Sequence, residues 1–324
     1  IIIAVKTWQK NLEECVCRCL ELDYPDFEIL ILPDFQEGTV PAIANTYNSK
    51  GTVPIRITPT GRVSPAQKRD IAMGYATGNI LAFIDDDAYP ARDWLVSALE
   101  NFKDESVAAV GGPAITPPED NLRQKASGVI YSSFLVSAKY TYRYLPKKRR
   151  EVNDYPSCNF LVLRSVMQEL GGFNTNFWPG EDTKLCLDIT KHLSKKIIYD
   201  PRVLVYHHRR PVFLAHLRQV ANYALHRGYF AKKYPGTSLK LAYFIPTLFL
   251  FALIGGAILS LILTPIRIIY YLGLFLYLIS VSIASIHKDL RLIPLVFFGI
   301  ILTHLSYGFY FLRGLISKRL KEEL

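Results

Sequence analysis

The sequence predicts an α/β domain with a mostly parallel sheet, followed by an amphipathic interfacial helix and about three transmembrane helices. Strand and helix signals alternate through the first hundred of the 324 residues, as in βαβ units. Basic and apolar residues then mix at helical spacing over 212–231, and three uncharged stretches follow. We therefore predict a first domain over 1–210, an interfacial segment over 211–240 and a membrane anchor over 241–324.

Short apolar runs and amphipathic stretches predict the elements of the first domain in turn. Ser64, just before Pro65, has the side chain and the position of a helix N-cap. After residue 113 the alternation stops, and 115–150 looks irregular, with a small and apolar run at 126–138. The predicted strands are 1–5, 27–32, 54–58, 80–84 and 107–110, and the predicted helices are 11–22, 65–75 and 94–102.

Three stretches near the C-terminal end are candidates for membrane spans. Residues 241–263, 268–286 and 292–312 contain no Asp, Glu, Lys or Arg, and each approaches the roughly 20 residues that cross a bilayer about 30 Å thick. Three spans would place the basic tail, with Arg313 and Lys318, on the side opposite the first domain, against the positive-inside tendency. A re-entrant or surface-lying third segment would remove this conflict, and the sequence leaves both arrangements open.

The net charge of +10 is concentrated in two segments. Residues 139–150 hold six Lys or Arg and 201–240 hold eight, with no Asp or Glu in either. Basic residues just before a first span suit an anionic membrane leaflet or an anionic substrate. Because the chain shows no nucleic-acid-binding motif, we expect membrane lipids as partners and no nucleic acid.

Two acidic clusters are candidates for chemistry. Asp85, Asp86 and Asp87 follow the apolar run 80–84, where a buried strand ends. An Asp-x-Asp pair there offers two hard oxygen ligands to a divalent cation and leaves positions open for phosphate oxygens. Glu181 and Asp182 form a second pair at the start of an amphipathic stretch, where a carboxylate can take a proton. Helix capping is the alternative role of this second pair.

The order of several motifs resembles the inverting family 2 glycosyltransferases, which have a GT-A, Rossmann-like fold. The motifs are Val5-Lys6-Thr7, the run 20–29, Phe83-Ile84-Asp85-Asp86-Asp87, Gly171-Gly172-Phe173, Gly180-Glu181-Asp182 and Val205-Tyr206-His207. The resemblance covers about 1–210, and the joint order and spacing make it specific, since any one motif alone is weak. It implies hexosyltransferase-type transfer from a nucleotide-sugar donor, with Mg²⁺ or Mn²⁺ as the cofactor.

The resemblance also implies roles for individual residues at the donor site. Asp87 and Asp85 would hold the metal ion, and His207 would complete its shell in the manner of some relatives. The residues expected to contact the donor nucleotide are Asp34, Lys68, Asp85 and Asp86.

On the acceptor side, the resemblance makes Asp182 the general base, with Glu181 beside it in the acceptor pocket. The basic stretch before residue 151 suggests a second contact, because cations can hold the diphosphate head group of a lipid-linked acceptor. The residues expected to do so are Lys147, Lys148, Arg149 and Arg150.

The residues fit other functions less well. Processive polysaccharide synthases of the family carry Gln-x-x-Arg-Trp on an interfacial helix, whereas the nearest equivalent here, the run 219–223, lacks the Arg and the Trp. Glycosyltransferases that act on polyprenyl phosphate need no base, so Glu181 and Asp182 favour a hydroxyl acceptor. A nucleotidyltransferase usually has a glycine-rich loop after its first strand, but Lys6-Thr7-Trp8 stands there. A receptor or transport subunit would leave both acidic clusters without a role.

The sequence therefore predicts a membrane-bound inverting glycosyltransferase. It would use a UDP- or GDP-sugar as donor and a hydroxyl of a lipid-linked saccharide as acceptor. We expect a multi-pass protein of the cell membrane with its catalytic domain in the cytoplasm, because the basic segments lie on that side of the first span.

Overall fold

The computed structural model describes residues 1–35 and 53–323, which divide into two compact units. The first is an α/β unit made chiefly of Ile1–Ile115 and Leu145–His207. The second is a helical unit made chiefly of Thr116–Tyr144 and His208–Glu322. Residues 116–144, which lie inside the predicted first domain, thus pack with the C-terminal helices.

The strands of the α/β unit form a mixed eight-stranded sheet and a small three-stranded sheet. Their orders are β3-β2-β1-β4-β9-β6-β10-β8 and β5-β11-β7. The strands are β1 (Ile2–Ala4), β2 (Ile29–Leu32), β3 (Ile55–Ile57), β4 (Ile80–Asp85), β5 (Ala88–Pro90), β6 (Val107–Gly111), β7 (Ala114–Ile115), β8 (Arg150–Val152), β9 (Asn159–Leu163), β10 (Lys196–Tyr199) and β11 (Val205–His207).

The helices of both units are numbered together along the chain. They are α1 (Lys10–Cys19), α2 (Pro65–Met73), α3 (Trp94–Leu99), α4 (Leu122–Ser132), α5 (Phe134–Ser137), α6 (Arg164–Leu170), α7 (Glu181–Leu187), α8 (Leu214–Lys233), α9 (Pro235–Ser238), α10 (Leu241–Ile262), α11 (Thr264–Ala284) and α12 (Leu292–Ile316).

Parallel pairing of β3, β2, β1 and β4 confirms the predicted α/β class. Ile3 pairs with Ile31 on one side and with Ile84 on the other. Each predicted strand overlaps an observed one, and Ser64 accepts the backbone N–H of Gln67 as the N-cap of α2. Strand β9 was not predicted. It runs antiparallel between β4 and β6, and no local signal in its sequence states which distant strands it joins.

The sheet is covered on both faces, which explains why its strands are apolar without alternation. All four residues of β2 are buried, as are Leu81–Ile84 of β4. Helices α1 and α3 bury Leu12, Val16 and Trp94 in the core of this unit. A parallel sheet packed in this way leaves only its strand ends for polar side chains, and Asp85 is the last residue of β4.

The helical unit corrects the prediction that 115–150 is irregular. Helix α4 begins after a capping box in which Asn121 accepts the backbone N–H of Gln124 and the Gln124 side chain accepts that of Asn121. This Asn-x-x-Gln pattern is a helix start signal that the sequence carried. Ala126 and Ile130 of α4 are buried against other helices of the unit.

Three helices are long and apolar enough to cross a membrane, by length and composition. They are Leu241–Ile262, Thr264–Ala284 and the stretch Leu292–Glu323, which contains α12. Their positions confirm the three predicted apolar segments. They differ in packing. In the most apolar part of the last stretch 33% is buried within the protein, compared with 11% and 6% in the corresponding parts of the first two helices.

Candidate active site

A cluster of two carboxylates and an imidazole forms at the carboxyl end of β4. Asp85 ends that strand, and Asp87 stands in the turn that leads to β5. Strand β11 pairs antiparallel with β5, with His207 opposite Ala88. This pairing carries His207 across 120 residues of sequence to Asp87, and His207 Nε2 lies 3.0 Å from Asp87 Oδ1.

The donor set of this cluster fits a divalent cation. Each of Asp85, Asp87 and His207 offers one ligand atom, and these three atoms lie within 4.8 Å of one another. Carboxylate oxygens suit Mg²⁺ or Mn²⁺, and imidazole is a common partner for the transition ion. Asp87 and His207 are largely buried, while the Asp85 side chain is 34% exposed. The cluster can therefore hold an ion and still face a ligand from solvent.

Electrostatics at the cluster also favour a cation. Burial alone lowers the pKa of His207, but the Asp87 carboxylate and its hydrogen bond outweigh burial and raise it to about 10. The imidazolium thus balances the carboxylates. A metal ion bound by the same nitrogen would take the place of that proton, because a ligating imidazole must be neutral.

Arg69 connects the cluster to the second acidic pair. Its guanidinium donates to Asp85 Oδ1 at 3.0 Å and to Glu181 Oε1 at 3.1 Å. The side chain is almost fully buried, and the rings of Phe83 and Phe173 lie within 6 Å of its charge. The planar fork of Arg suits two carboxylates at once, which a Lys ammonium matches less well. This residue escaped the sequence analysis, although it follows Lys68 directly.

Glu181 and Asp182 begin α7 and differ in environment. Gly180 precedes them with φ of 121°, a conformation that side chains other than glycine rarely adopt. Glu181 is buried, and its Oε2 accepts the N–H of Gly180 at 3.0 Å. Burial and the adjacent Asp182 carboxylate raise the pKa of Glu181 to about 7, and Arg69 limits the rise. Asp182 is half-buried and accepts the N–H of Thr183 at 2.7 Å.

Lys68 and Asp34 form an ion pair at the ends of β1 and β2. Lys68 is buried and also donates to the carbonyl oxygens of Val5 at 2.7 Å and Leu32 at 3.0 Å. These three bonds use all the donors of an ammonium group. Asp34 is more exposed and follows β2, and its chain neighbour Phe35 lines an open cleft of about 550 Å³ together with Tyr75. Lys68 thus fixes the position of the Asp34 carboxylate.

The remaining predicted residues make contacts outside the cluster. Asp86 accepts a hydrogen bond from Gln9 Nε2 at 2.5 Å. Arg150 lies in edge strand β8 opposite Tyr199 of β10, four strands from β4 and therefore roughly 19 Å across the sheet. Arg149 donates to Asn101 Oδ1 at 2.9 Å, and Lys147 and Lys148 are exposed in the segment before β8. The structure does not bring this basic group to the carboxylates.

A buried amide, also absent from the sequence predictions, lies beside the strand that carries Asp85. Asn159 begins β9 opposite Ile84, the residue before Asp85. Its side chain donates to the carbonyl oxygens of Gly112 at 2.7 Å and Val203 at 2.8 Å, and it accepts from Trp94 Nε1 at 2.9 Å. A polar residue inside an apolar run, as in Cys158-Asn159-Phe160, was the one signal for it.

The sheet topology and the cluster at its edge define a class of protein, the glycosyltransferases with a GT-A fold. More than half of the chain, residues 1–171, matches "Glycosyl transferase family 2". The protein belongs to that family.

Several known proteins are similar to this chain. A mannosyltransferase of Pyrobaculum calidifontis, solved with GDP-Man and Mn²⁺, shares the fold with a TM-score of 0.64 at 20% identity, over 98% of this chain and 87% of that one. The pre-mycofactocin glycosyltransferase of Mycobacterium tuberculosis is 29% identical over 146 residues, 45% of this chain and 30% of the relative. The glucosyl-dolichyl phosphate glucuronosyltransferase of Haloferax volcanii is 22% identical over 61% of this chain and 64% of the relative. The matches thus span less than two thirds of these two curated relatives.

Proposed function

We propose that this protein is a membrane-bound, metal-dependent glycosyltransferase that moves a sugar, with inversion, from a nucleotide-sugar donor to a hydroxyl of a lipid-linked saccharide. One observation carries the proposal. Arg69 joins the cluster of Asp85, Asp87 and His207 to the pair Glu181 and Asp182. A cation site and a candidate base therefore lie in one connected site, as donor activation and acceptor activation require.

The donor would lie along the carboxyl edge of β1, β2 and β4. Asp34, held by Lys68, would accept hydrogen bonds from the base or ribose, and the 550 Å³ cleft that begins at the next residue, Phe35, offers room for them. Asp85, Asp87 and His207 would hold Mg²⁺ or Mn²⁺. The bound ion would neutralise charge on the departing nucleoside diphosphate.

The acceptor hydroxyl would lose its proton to Asp182. Its oxygen would attack the anomeric carbon from the face opposite the diphosphate, and the bond from that carbon to the phosphate oxygen would break. Asp182 suits this role because it is the more exposed member of the pair. Glu181 is committed to Arg69 and to Gly180, so it would position α7 and the base rather than take the proton.

Two observations support a lipid-linked acceptor. Three apolar helices long enough to cross a membrane belong to the same chain as the site. One relative is named a glucuronosyltransferase of glucosyl-dolichyl phosphate, in which the sugar is lipid-linked. Direct transfer to polyprenyl phosphate is the second candidate, but its phosphate oxygen needs no base and leaves Asp182 without a purpose.

The test uses the full chain purified in detergent. UDP- and GDP-sugars are screened for binding with and without Mn²⁺ or Mg²⁺, and the best donor is then offered a polyprenyl-diphosphate-linked saccharide or polyprenyl phosphate. We expect metal-dependent binding of one donor and a product of inverted anomeric configuration on the saccharide. Equal donor binding in EDTA, a retained configuration or transfer only to the polyprenyl phosphate would contradict the proposal.

A further inference from the structure

The third apolar helix differs from the first two in what it packs against. Helix α12 lies alongside α8, the basic amphipathic helix that precedes α10. Near the start of α8, His216 Nε2 lies 2.9 Å from Thr303 Oγ1 of α12. Near the end of α8, Lys232 Nζ donates to the carbonyl of Ser317, just past α12, at 2.6 Å. Both helices advance in the same direction between these contacts, so they run parallel over 16 residues, or roughly 24 Å.

The two helices touch backbone to backbone, which fixes them as one pair. A Cβ on Gly314 would stand 1.9 Å from the carbonyl oxygen of Leu225, and one on Gly228 would stand 2.0 Å from that of Phe311. Only hydrogen atoms fit at both positions, one on each helix. Because this close contact lies between the two hydrogen-bonded contacts at His216 and Lys232, α8 and α12 share one orientation with respect to a membrane.

The outer face of α8 is polar along the paired length. Arg218, Asn222, Lys232 and Lys233 are all exposed. If α12 crossed the bilayer, α8 would be drawn in beside it with these side chains facing lipid. A single Arg at the centre of a membrane helix disfavours insertion by roughly 100-fold. The pair therefore cannot cross the hydrocarbon core as two adjacent spans.

The contacts of α12 with the other apolar helices lie at one end of those helices. On α10, Thr247 Oγ1 donates to Gly308 O at 2.9 Å and Phe244 packs edge-on against Phe311 at 4.8 Å, both within the first seven residues of α10. On α11, Tyr277 and Val281 near the C-terminal end make the contacts. Helix α12 thus meets the end of the α10–α11 hairpin that connects to the rest of the chain, and does not follow the hairpin along its length.

One face of α12 is left apolar and exposed. Phe298, Leu302, Phe309 and Ile316 are exposed at spacings of four and seven residues, which is a single stripe on a helix. Such a stripe opposite a polar partner helix fits the boundary between head groups and acyl chains.

We infer that α12 does not span the membrane but lies with α8 in the head-group region, so that the bilayer is crossed twice, by α10 and α11 alone. The lipid surface is the partner of the exposed α12 stripe. Among the described residues this arrangement puts one charged side chain, Arg267, at the far end of the hairpin. The loop 287–291 and the basic tail then lie on the same side of the membrane as α8, as the positive-inside tendency requires.

The test measures which side of the membrane three positions face. In a Cys17→Ser background, single cysteines replace the exposed residues Gly236, Thr264 and Lys318, and a membrane-impermeant maleimide is applied to sealed vesicles of each orientation. We expect Gly236→Cys and Lys318→Cys to react from one side and Thr264→Cys from the other. Reaction of Lys318→Cys from the same side as Thr264→Cys would overturn the inference. Labelling after detergent treatment confirms that each cysteine is reactive.

A second measurement compares lysine substitutions in two exposed leucines near the middle of their helices. Leu302→Lys in α12 should leave resistance to carbonate extraction unchanged, since an interfacial Lys reaches water. Leu272→Lys in α11 should lower the integrated fraction severalfold. Equal losses in both variants would show that α12 also spans.

Discussion

At the residue scale, burial of the Asp87 carboxylate strengthens its preference for a nearby positive charge. Its side chain is 8% exposed and lies with Asp85 and His207 in one cluster. The Asp85 and Asp87 carboxylates repel one another, and because Asp87 is buried this repulsion is poorly screened, so a positive charge between them is favoured. The protonated imidazole supplies one such charge, and a divalent cation would supply a larger one.

Asp87→Ala should abolish metal-dependent donor binding and reduce turnover to background, because it removes an oxygen ligand and the partner of His207. Calorimetric titration of the donor with Mn²⁺ measures the first effect. Asp26→Ala, at an exposed carboxylate elsewhere on the same unit, is the control and should behave as wild type. Full turnover of the wild type in EDTA would show that the cluster is not a metal site.

Asp182→Asn should lower turnover by roughly 10²-fold or more with little change in donor affinity, since the amide keeps the size of the side chain but cannot take a proton. Single-turnover kinetics separate the two quantities. The matched variant is Glu181→Gln, for which we expect a loss of stability through Arg69. If Asp182→Asn loses stability and keeps its specific activity, the residue serves only as part of the helix start.

At the scale of elements, α2 organises the site with three successive side chains. Lys68 binds Asp34 after β2, and Arg69 binds the end of β4 and the start of α7. Asp70 accepts the N–H of Phe173 at 2.8 Å. The tripeptide thus ties four distant segments to one short helix, and only the lysine was assigned a role from the sequence.

Arg69→Met should destabilise the protein by about 3–5 kcal/mol, because two carboxylates lose a buried partner. Thermal unfolding in detergent, converted to free energy of unfolding, measures the loss. Arg92→Met is the control, since Arg92 and Asp23 form an exposed pair worth less than about 1 kcal/mol. Similar losses in the two variants would mean that Arg69 is not the tie between the two acidic groups.

Helix α8 contains a fully buried titratable group, His216. Its ring nitrogens lie 2.7 Å from Ser127 Oγ and 2.9 Å from Thr303 Oγ1. Burial, aided by the charge of Arg209, lowers the pKa of His216 from 6.5 to about 4. The imidazole therefore stays neutral in the folded protein.

This difference makes stability fall in acid. Between pH 6.5 and about 4, His216 is protonated in the unfolded chain but neutral in the folded chain. Stability is thus intact above pH 6.5 and declines below it, by up to about 3 kcal/mol. Melting temperatures at pH 7 and pH 5 should differ less for His216→Gln than for the wild type. An equal acid shift in both proteins would exclude His216 as the cause.

At the scale of the whole molecule, the basic segment before β8 gives a test of the acceptor class. Replacing Lys147, Lys148, Arg149 and Arg150 with Gln should weaken use of a polyprenyl-diphosphate-linked acceptor but spare donor hydrolysis, since the segment leads into β8, which lies roughly 19 Å from β4 across the sheet. The Michaelis constants for acceptor and donor measure the two effects.

The control for this variant removes the same charge elsewhere on the α/β unit, with Gln at the exposed residues Arg18, Arg92, Lys103 and Lys191. A selective loss of acceptor use in the first variant alone supports a lipid-linked acceptor. If both variants lose acceptor use and hydrolysis equally, or if the wild type prefers a water-soluble acceptor, the segment serves only to hold the protein on the membrane.

Several features of the structure could be predicted from local patterns in the sequence. Apolar runs of four to six residues predicted β2 and β4, because a doubly covered sheet needs no polar face. The position of Asp85 and Asp87 followed from the end of such a run. Long uncharged stretches marked α10 to α12, because length and apolarity can be read directly from the residues of one segment.

Tertiary structure alone decided which distant side chains meet. Arg69 became a bridge because α2 packs where β4 and α7 both end, and His207 reached Asp87 through the pairing of β5 with β11. It also set α12 against α8, which the hydropathy of α12 could not reveal. Periodicity and hydropathy report the environment of each segment, whereas the partners of a segment depend on contacts between residues far apart in the chain.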